Sequence, residues 1–421
     1  MKEVLELPVF RRLLVATIFN ELAWWIGSVS LALLIYRQTG SAVGAAAFFL
    51  CSQLGPALLS PLVVARFDRV AVRRVLGELY VLEGAIFLAL AWLSTHFNLA
   101  ASLGLVLLDG VLFVAARVLA RTAWTSVTSS AGLMQEANAL INSALSVCWM
   151  LGPALGGALV ALGGTSSALL VNAGVFAFVA VFVLTARGMP AGSPERTSAL
   201  RRLRSGLDYV KDQPAIRRLL GLQSVAIVFF SISLPIEVVF VQHTLHGGAT
   251  GYGVLLAVWG AGAIAGSALF ARWRRLPPNR LIGLGAAAYG VGFLVMATAP
   301  TLAVAIIGAG IVGAGNGSEY GAFRAVLQDV TSERWMAIVL SLNESLLQAA
   351  LGLGIVLGGA LTAAVGPRPA LAAGAAGSLT LAILMWGSLK PLEASRAKDE
   401  SFPRPEPASA PEPLTAGQQR P

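Results

Sequence analysis

Six acidic side chains lie inside long apolar stretches of the sequence, where an ionised carboxylate is costly. Removal from water favours the protonated acid, whereas a neighbouring arginine favours the ionised form. A carboxyl group exposed in turn to both environments can take up and release a proton. Our candidates for proton coupling are Glu21, then Glu344, Asp109 and Glu319; Glu83 and Glu237 complete the set.

Glu21 has the most distinctive surroundings. It lies roughly ten residues into the first apolar run, about 15 Å along a helix, with no basic residue within four positions. A pocket for a flat or lipophilic molecule is indicated by polar and aromatic residues near it and in other runs: Asn20, Trp24, Trp25, Gln53, Arg117, Asn343 and Gln348. Tryptophans at the end of a span anchor the helix at the membrane interface more often than they line a pocket. Asp109 and Arg117 are also spaced to pair on one helix face, an alternative that stays open.

Composition requires that these residues lie in a membrane protein. Hydrophobic residues make up 56% of the 421 residues and charged residues 12%, and the mean hydropathy is +0.75. A soluble domain carries roughly 25% charged residues. The net charge of +9 does not indicate nucleic-acid binding, because the basic residues fall in alternate gaps between apolar runs.

The apolar runs predict an all-α membrane protein with twelve spanning helices, each long enough to cross about 30 Å of hydrocarbon. The first run ends near residue 36, and the others cover 42–64, 75–95, 99–122, 137–161, 166–186, 216–242, 251–271, 280–299, 302–324, 336–361 and 368–389. This gives a six-helix bundle over 1–186, a cytoplasmic amphipathic linker over 187–215, a second bundle over 216–390 and a disordered tail over 391–421.

Basic residues predict the orientation, because cytoplasmic loops are enriched in Lys and Arg. The second, sixth and eighth gaps hold most of the arginines, whereas the opposite gaps hold only Arg37 and Arg368. Both termini are therefore expected in the cytoplasm.

No motif indicates an enzyme, a metal site or a cofactor. The two cysteines lie in apolar runs, the three histidines lie at or near loops, and the sequence shows no phosphate-binding glycine loop. We expect a monomer whose partners are a small molecule, protons and the lipid bilayer.

A glycine-rich motif lies in the fifth predicted span. Gly152, Pro153, Gly156 and Gly157 follow a polar stretch that begins at Arg121, and small residues let two membrane helices approach closely. The motif predicts either a gating kink or plain close packing. A weaker copy begins at Arg324 and continues to Gly354, Gly358 and Gly359, which indicates two related halves.

The sequence resembles the major facilitator superfamily, in particular the branch of the enterobactin exporter and macrolide-efflux proteins. The resemblance rests on A-R-T-A-W-T-S-V-T-S, E-A-N-A-L-I-N-S-A and L-G-P-A-L-G-G, and on the loop R-F-D-R-V-A-V-R-R after the second span. It implies a cytoplasmic latch involving Asp68, Arg69, Arg73 and Arg74, although the usual register would place Ala65 at the acidic position.

The resemblance further implies alternating access, in which the two halves rock about a central cavity and proton influx drives the cycle. We therefore predict export of a small organic molecule across the inner membrane of a bacterial cell, with a siderophore as the leading substrate and a drug or macrolide as the alternative. A nutrient importer and a non-transporting receptor are the further alternatives.

Overall fold

The computed structural model describes residues 2–59, 72–186, 210–272, 278–331 and 333–388. Within these ranges the chain is all-helical, which confirms the predicted fold class. Eleven helices there are long and apolar enough to cross a membrane. The longest, Met134–Leu184, has 51 residues and contains two of the predicted spans.

The helices follow the predicted spans closely. They are α1 (Pro8–Thr39), α2 (Ala42–Leu59), α3 (Val72–Leu93), α4 (Leu99–Ser130), α5 and α6 (together Met134–Leu184), α7 (Pro214–Thr244), α8 (Gly248–Arg272), α9 (Pro278–Thr298), α10 (Leu302–Val330), α11 (Glu333–Val365) and α12 (Pro367–Ser388). A short helix, Lys2–Glu6, precedes α1.

Gly164 separates α5 from α6. Its φ of 77° and ψ of 172° are far from helical values, and glycine adopts such a conformation without the steric cost of a Cβ atom. The chain therefore turns there without a loop. This explains how eleven long helices correspond to the twelve predicted spans.

Other turns are short because capping residues end or begin the helices locally. Gly40, at φ 60°, closes α1, and the Ser41 side chain accepts hydrogen bonds from the backbone of Val43 and Gly44 at the start of α2. Asn98 caps α4 in the same way by accepting from the backbone N–H of Ala101 at 2.9 Å. Neighbouring helices are thus held antiparallel.

Two helices contain a π-helical turn. Leu50–Leu54 forms one within α2, and Phe240–Thr244 forms the other at the end of α7. Such turns are rare and occur often at functional sites. The turn in α2 carries Ser52 and Gln53, which line the cavity described below.

Small residues bring helices of the second half into close contact. Gly313 and Gly317 of α10 lie against the carbonyl oxygens of Trp259 and Ala263 in α8, which leaves no room for a Cβ atom at either glycine. Close backbone approach of this kind replaces the hydrophobic effect as a source of association inside a membrane.

Some predicted features lie outside the described residues. These are Asp68 and Arg69 of the latch, most of the linker at 187–215, and the tail at 391–421. The division into two bundles with a linker and tail stays a prediction.

Candidate substrate cavity

A cavity of about 290 Å³ lies between helices of the two halves. Its walls come from α1, α2, α4 and α5 on one side and from α7, α8 and α11 on the other. The lining residues are Glu21, Trp24, Trp25, Ser28, Val29, Phe49, Ser52, Gln53, Phe113, Val114, Arg117, Trp149, Phe230, Leu234, Glu237, Tyr252, Leu256, Trp259, Gln348 and Leu351. A volume of this size suits a small organic molecule.

Glu21 is fixed at the wall of this cavity by a tryptophan from α5. The indole Nε1 of Trp149 donates a hydrogen bond to Glu21 Oε1 at 3.0 Å, and Glu21 is only 3% exposed. The two residues are 128 positions apart. A bonded carboxylate that faces a cavity in an apolar bundle can bind a cation or a proton.

Aromatic rings form much of the wall around Glu21. Trp24 stacks on Phe113 with centroids 5.5 Å apart, and the edge-to-face pair of Trp24 and Trp25 has a separation of 4.8 Å. Trp25 also meets Trp259 of the other half at 6.4 Å. The buried indole nitrogen of Trp25 has no hydrogen-bond partner among the described residues. The rings thus present flat apolar faces with an unused donor.

A second carboxylate, Glu237 of α7, reaches the cavity from the other half. Ser233 donates a hydrogen bond to Glu237 Oε1 at 2.9 Å, and Tyr252 of α8 is buried beside it and also lines the cavity. Glu237 was predicted to lie in a span but was not among the residues predicted for the site. The cavity therefore has one acidic residue from each half.

Arg117 is the basic residue among the lining side chains. Its guanidinium lies over the ring of Phe113, 6.0 Å from the centroid. The alternative that Arg117 pairs with Asp109 is wrong, because no ion pair joins these two described residues. Eight residues of helix separate their backbones by about 12 Å, and Arg117 turns toward the cavity instead.

The structure places the remaining cavity candidates differently. Gln53 and Gln348 line the cavity, and Gln348 Oε1 is buried without a partner among the described residues. Asn20 and Asn343 are buried but are not among the lining residues, so their predicted place in the cavity wall is wrong.

The other predicted coupling residues also lie outside the cavity wall. Glu319 of α10 is buried and accepts a long hydrogen bond of 3.5 Å from Gln223 Nε2. Glu344 of α11 is exposed. Asp109 of α4 is buried, and its Oδ1 has no hydrogen-bond partner among the described residues. Glu21 is therefore the one member of that predicted set at the cavity.

The glycine motif holds α5 between two other helices. A Cβ atom at Gly152 would come within 2.5 Å of Trp25 Cβ, and one at Gly156 within 3.1 Å of Ile26 Cα, both in α1. A Cβ atom at Gly157 would instead meet Ala249 and Gly253 of α8, in the other half.

Pro153 takes part in this second contact. Its carbonyl oxygen would lie 2.7 Å from a Cβ atom placed on Gly253. The motif is thus a site of close helix packing, and part of that packing joins the two halves. Its predicted role in gating stays a prediction.

The described arginines of the predicted latch make local contacts. Arg73 donates to the carbonyl oxygen of Ala186 at 3.2 Å, which ties the start of α3 to the end of α6. Arg74 forms an exposed ion pair with Glu78 at 2.8 Å. Arg121 and Arg324 are exposed near the corresponding ends of α4 and α10, and Arg324 lies over the ring of Tyr320.

Six aromatic lining residues were not predicted from the sequence: Phe49, Phe113, Trp149, Phe230, Tyr252 and Trp259. Aromatic residues are common in membrane helices, and their positions alone do not distinguish a cavity wall from a lipid-facing surface. One signal was available for Trp149. It lies three residues before Gly152, and this spacing places both residues on the same face of α5.

These helices and this central cavity define a multi-pass membrane transporter of the major facilitator type. Residues 4–413 match the family model described as transmembrane secretion effector, and the chain belongs to that family. Family and fold agree with the resemblance drawn from the sequence, and they confirm that the protein is a transporter and not an enzyme.

Curated relatives include two multidrug efflux pumps called Tap. The one from Mycolicibacterium fortuitum is 27% identical over 351 residues, which covers 79% of this chain and 84% of the relative. The one from Mycobacterium tuberculosis strain H37Rv is 25% identical over 376 residues, which covers 84% of this chain and 87% of the relative.

Solved structures show the same fold at low sequence identity. The nucleoside transporter NupG has a TM-score of 0.73 at 12% identity and covers 91% of this chain and 99% of its own. A bacterial homologue of the human lysosomal transporter Spinster, solved in an inward-facing and unoccupied conformation, also matches. Its TM-score is 0.70 at 14% identity, and the match covers 95% of this chain and 100% of that structure.

Proposed function

We propose that this protein exports lipophilic organic cations from a bacterial cell in exchange for protons, as a multidrug efflux pump. The observation that carries the proposal is the cavity, in which four tryptophans surround two carboxylates, Glu21 and Glu237. Aromatic faces attract organic cations, and a carboxylate adds a charge of opposite sign. The Tap relatives are named multidrug efflux pumps, which supports export of drugs as a class.

Glu21 would couple the export of the organic cation to the entry of a proton. An apolar cavity wall favours the neutral acid when the cavity lacks a cation, and a bound cation favours the carboxylate. Binding of a drug cation and of a proton at Glu21 would then exclude each other. Trp149 holds the carboxylate toward the cavity by its hydrogen bond in the state described here.

Contacts between the halves support alternating access. Gly157 and Pro153 of α5 meet Gly253 of α8, and Gly359 of α11 meets Ala46 of α2. All of these contacts lie toward the end of the bundle where α1 ends and α2 begins. Rocking of the halves would separate this end and expose the cavity on that side.

A siderophore is the second candidate substrate, and Arg117 is the observation that favours it. A basic side chain at the cavity wall could bind an anionic iron chelator. The two carboxylates oppose such a ligand, so we place the organic cation first. We further propose that the protein is a monomer of the inner membrane with both termini in the cytoplasm.

Transport of ethidium, a flat organic cation, tests the proposal. Purified protein in liposomes should move ethidium when a pH gradient is imposed, and Glu21→Gln should abolish this movement. Glu344→Gln is the matched control, because Glu344 is exposed and does not line the cavity. The proposal fails if Glu21→Gln transports at the wild-type rate, or if the wild type moves an iron chelator and not ethidium.

A further inference from the structure

A buried carboxyl group and a buried amide are in contact between α10 and α7, outside the cavity wall. The Nε2 atom of Gln223 in α7 donates a hydrogen bond to Glu319 Oε2 in α10 at 3.5 Å. Glu319 is 1% exposed, and Gln223 has no exposed surface. The other oxygen of each group, Oε1, is buried without a hydrogen-bond partner among the described residues. Two acceptors are therefore left inside the protein without a donor.

Helix α9 packs closely on α10 beside this pair. A Cβ atom at Gly285 would collide with the Cβ atom of Glu319 and would lie 2.9 Å from its Cα atom. One turn further along α9, the hydroxyl of Tyr289 accepts a hydrogen bond from Asn316 Nδ2 at 2.6 Å. Asn316 precedes Glu319 by three residues, so both lie on the face of α10 that meets α9. The carboxyl group is thus enclosed where the two backbones are close together.

The surroundings of Glu319 provide no paired positive charge. No ion pair involves this residue in the ranges that the structure describes. Arg324, one to two turns further along α10, lies over the ring of Tyr320. Arg280, at the start of α9, is exposed.

Helices α7 and α8 also form no ion pair with this acid through their described residues. Arg217 and Arg218 are exposed near the start of α7, and Arg272 is exposed at the end of α8. The α8 side chain that bonds to α10 at this level is Ser267, whose hydroxyl donates to the carbonyl oxygen of Gly317 at 3.3 Å. Removing an ionised carboxylate from water without a cation is so costly that such a group binds a proton instead.

We propose that Glu319 binds one proton in this state and pairs as a neutral acid with the amide of Gln223, which makes a proton-binding site apart from the substrate cavity. The proton is on Glu319 Oε1, so Oε2 is the carbonyl oxygen that accepts from Gln223 Nε2. The acceptor available to the O–H group is Gln223 Oε1, which belongs to the amide already in contact with the acid. A single proton thereby accounts for both unpartnered oxygens.

Helix α7 connects this site to the cavity. Gln223 precedes Phe230 by seven residues, about two helical turns, so both lie on one face of α7. Phe230 lines the cavity, where its ring centroid is 6.2 Å from that of Trp259, and it is 5.4 Å from that of Tyr289 in α9. Movement of α7 on substrate binding would therefore change the distance between the amide and the acid. This place in the transport cycle rests on the proposed proton exchange, whereas the presence of the proton does not.

Infrared spectroscopy of the full chain in lipid nanodiscs at neutral pH tests the site without any substrate. The carbonyl stretch of a protonated carboxyl group is resolved from that of a carboxylate. We expect Glu319→Gln to remove the intensity of one protonated carboxyl group per chain, scaled to the amide band. Glu344→Gln is the matched control, because Glu344 is exposed, and it should leave that intensity unchanged.

A second variant tests the pairing with the amide. Gln223→Leu should keep the protonated group but raise the frequency of its carbonyl stretch, because the hydrogen bond to Oε2 is lost. No loss of intensity in Glu319→Gln would overturn the proposal, and an unchanged spectrum of Gln223→Leu would contradict the acid–amide pair. If Glu319→Gln does not fold, Gln223→Leu decides alone, since a band that shifts must belong to a protonated acid beside that amide. A failure of ethidium transport would count against the proposed function and leave these results unaffected.

Discussion

Gly157→Ala should weaken the contact between the two halves without disturbing the fold of either. The added Cβ atom would lie 2.7 Å from the carbonyl oxygen of Ala249 and 2.8 Å from Gly253 Cα. Carbon atoms at optimal separation are about 3.5–4.0 Å apart, so α5 and α8 would have to separate by roughly 0.7 Å. The obstacles are backbone atoms, which cannot rotate away as a side chain can.

Overpacking of this kind costs about 1–3 kcal/mol. If the contact exists in one state of the cycle and is lost in the other, the penalty applies to the first state alone. A coupling of that size shifts a two-state equilibrium by roughly 5- to 150-fold. The substitution should therefore favour the state in which this end of the bundle is open.

Accessibility of a cavity residue measures the shift. Cysteine at Ser28, in a chain with Cys51 and Cys148 replaced by Ala, should react with a membrane-impermeant maleimide from the side where α1 ends. We expect Gly157→Ala to raise the rate from that side at least fivefold, which corresponds to about 1 kcal/mol.

Gly156→Ala is the matched control. Its Cβ atom would lie 3.1 Å from both Ile26 Cα and Val29 Cβ, within the first half only. It should lower thermal stability in detergent while leaving the maleimide rate close to that of the wild type. Equal rates in both variants, or a wild-type rate for Gly157→Ala, would refute a role of the α5–α8 contact in the conformational equilibrium.

Three further predictions concern topology, the cavity and a helix end. A reporter fused at position 190 or 395 should indicate a cytoplasmic location, and a periplasmic signal at either would refute the predicted orientation. Trp149→Phe removes a hydrogen bond to the carboxylate of Glu21 worth about 1.5–3 kcal/mol, so ethidium affinity measured by fluorescence should fall by about 10- to 150-fold; unchanged affinity would contradict the assigned bond. Arg368→Ala removes two hydrogen bonds to carbonyl groups and should lower the melting temperature in detergent, whereas an unchanged value would make that contact dispensable.

Much of the fold follows from the sequence because the membrane leaves few choices. A long apolar run without water must satisfy its backbone internally, so it becomes a helix of predictable length. The break at Gly164 falls between the predicted spans 137–161 and 166–186. The π-helical turn at Leu50–Leu54 was not predictable, since no residue type in it differs from those of an ordinary apolar helix.

Arg368 is an exception to the enrichment of basic residues in the predicted cytoplasmic gaps, and its contacts explain why. It lies in a gap that otherwise has few basic residues, and its guanidinium donates to the carbonyl oxygens of Ala297 and Ala299 at 2.8 and 2.7 Å. It therefore satisfies backbone groups at the end of α9. Its role is local, which the distribution of charges between gaps could not reveal.

The cavity was predictable only in part, because its walls come from helices far apart in sequence. Glu21, Trp24 and Trp25 were found because they are neighbours in one helix. Trp149 and Glu237 belong to other helices, and only the packing of those helices brings them to the same space. Rotation of a helix decides whether a residue such as Asn343 faces a cavity or its neighbours, and apolar runs do not encode that rotation clearly.

The π-helical turn at Leu50–Leu54 also limits how far the two halves can be treated as interchangeable. It closes hydrogen bonds to the fifth residue along, so it holds more residues per turn than an α-helix. The corresponding second helix of the other half, Gly248–Arg272, is α-helical throughout. When α2 is superposed on α8, equivalent residues therefore fall out of register after this turn. A chimera in which the sequence of α8 replaces α2 residue for residue would lack the extra residue in the turn. The residue at position 55 would then be rotated away from Leu107 of α4, which Gly55 contacts here.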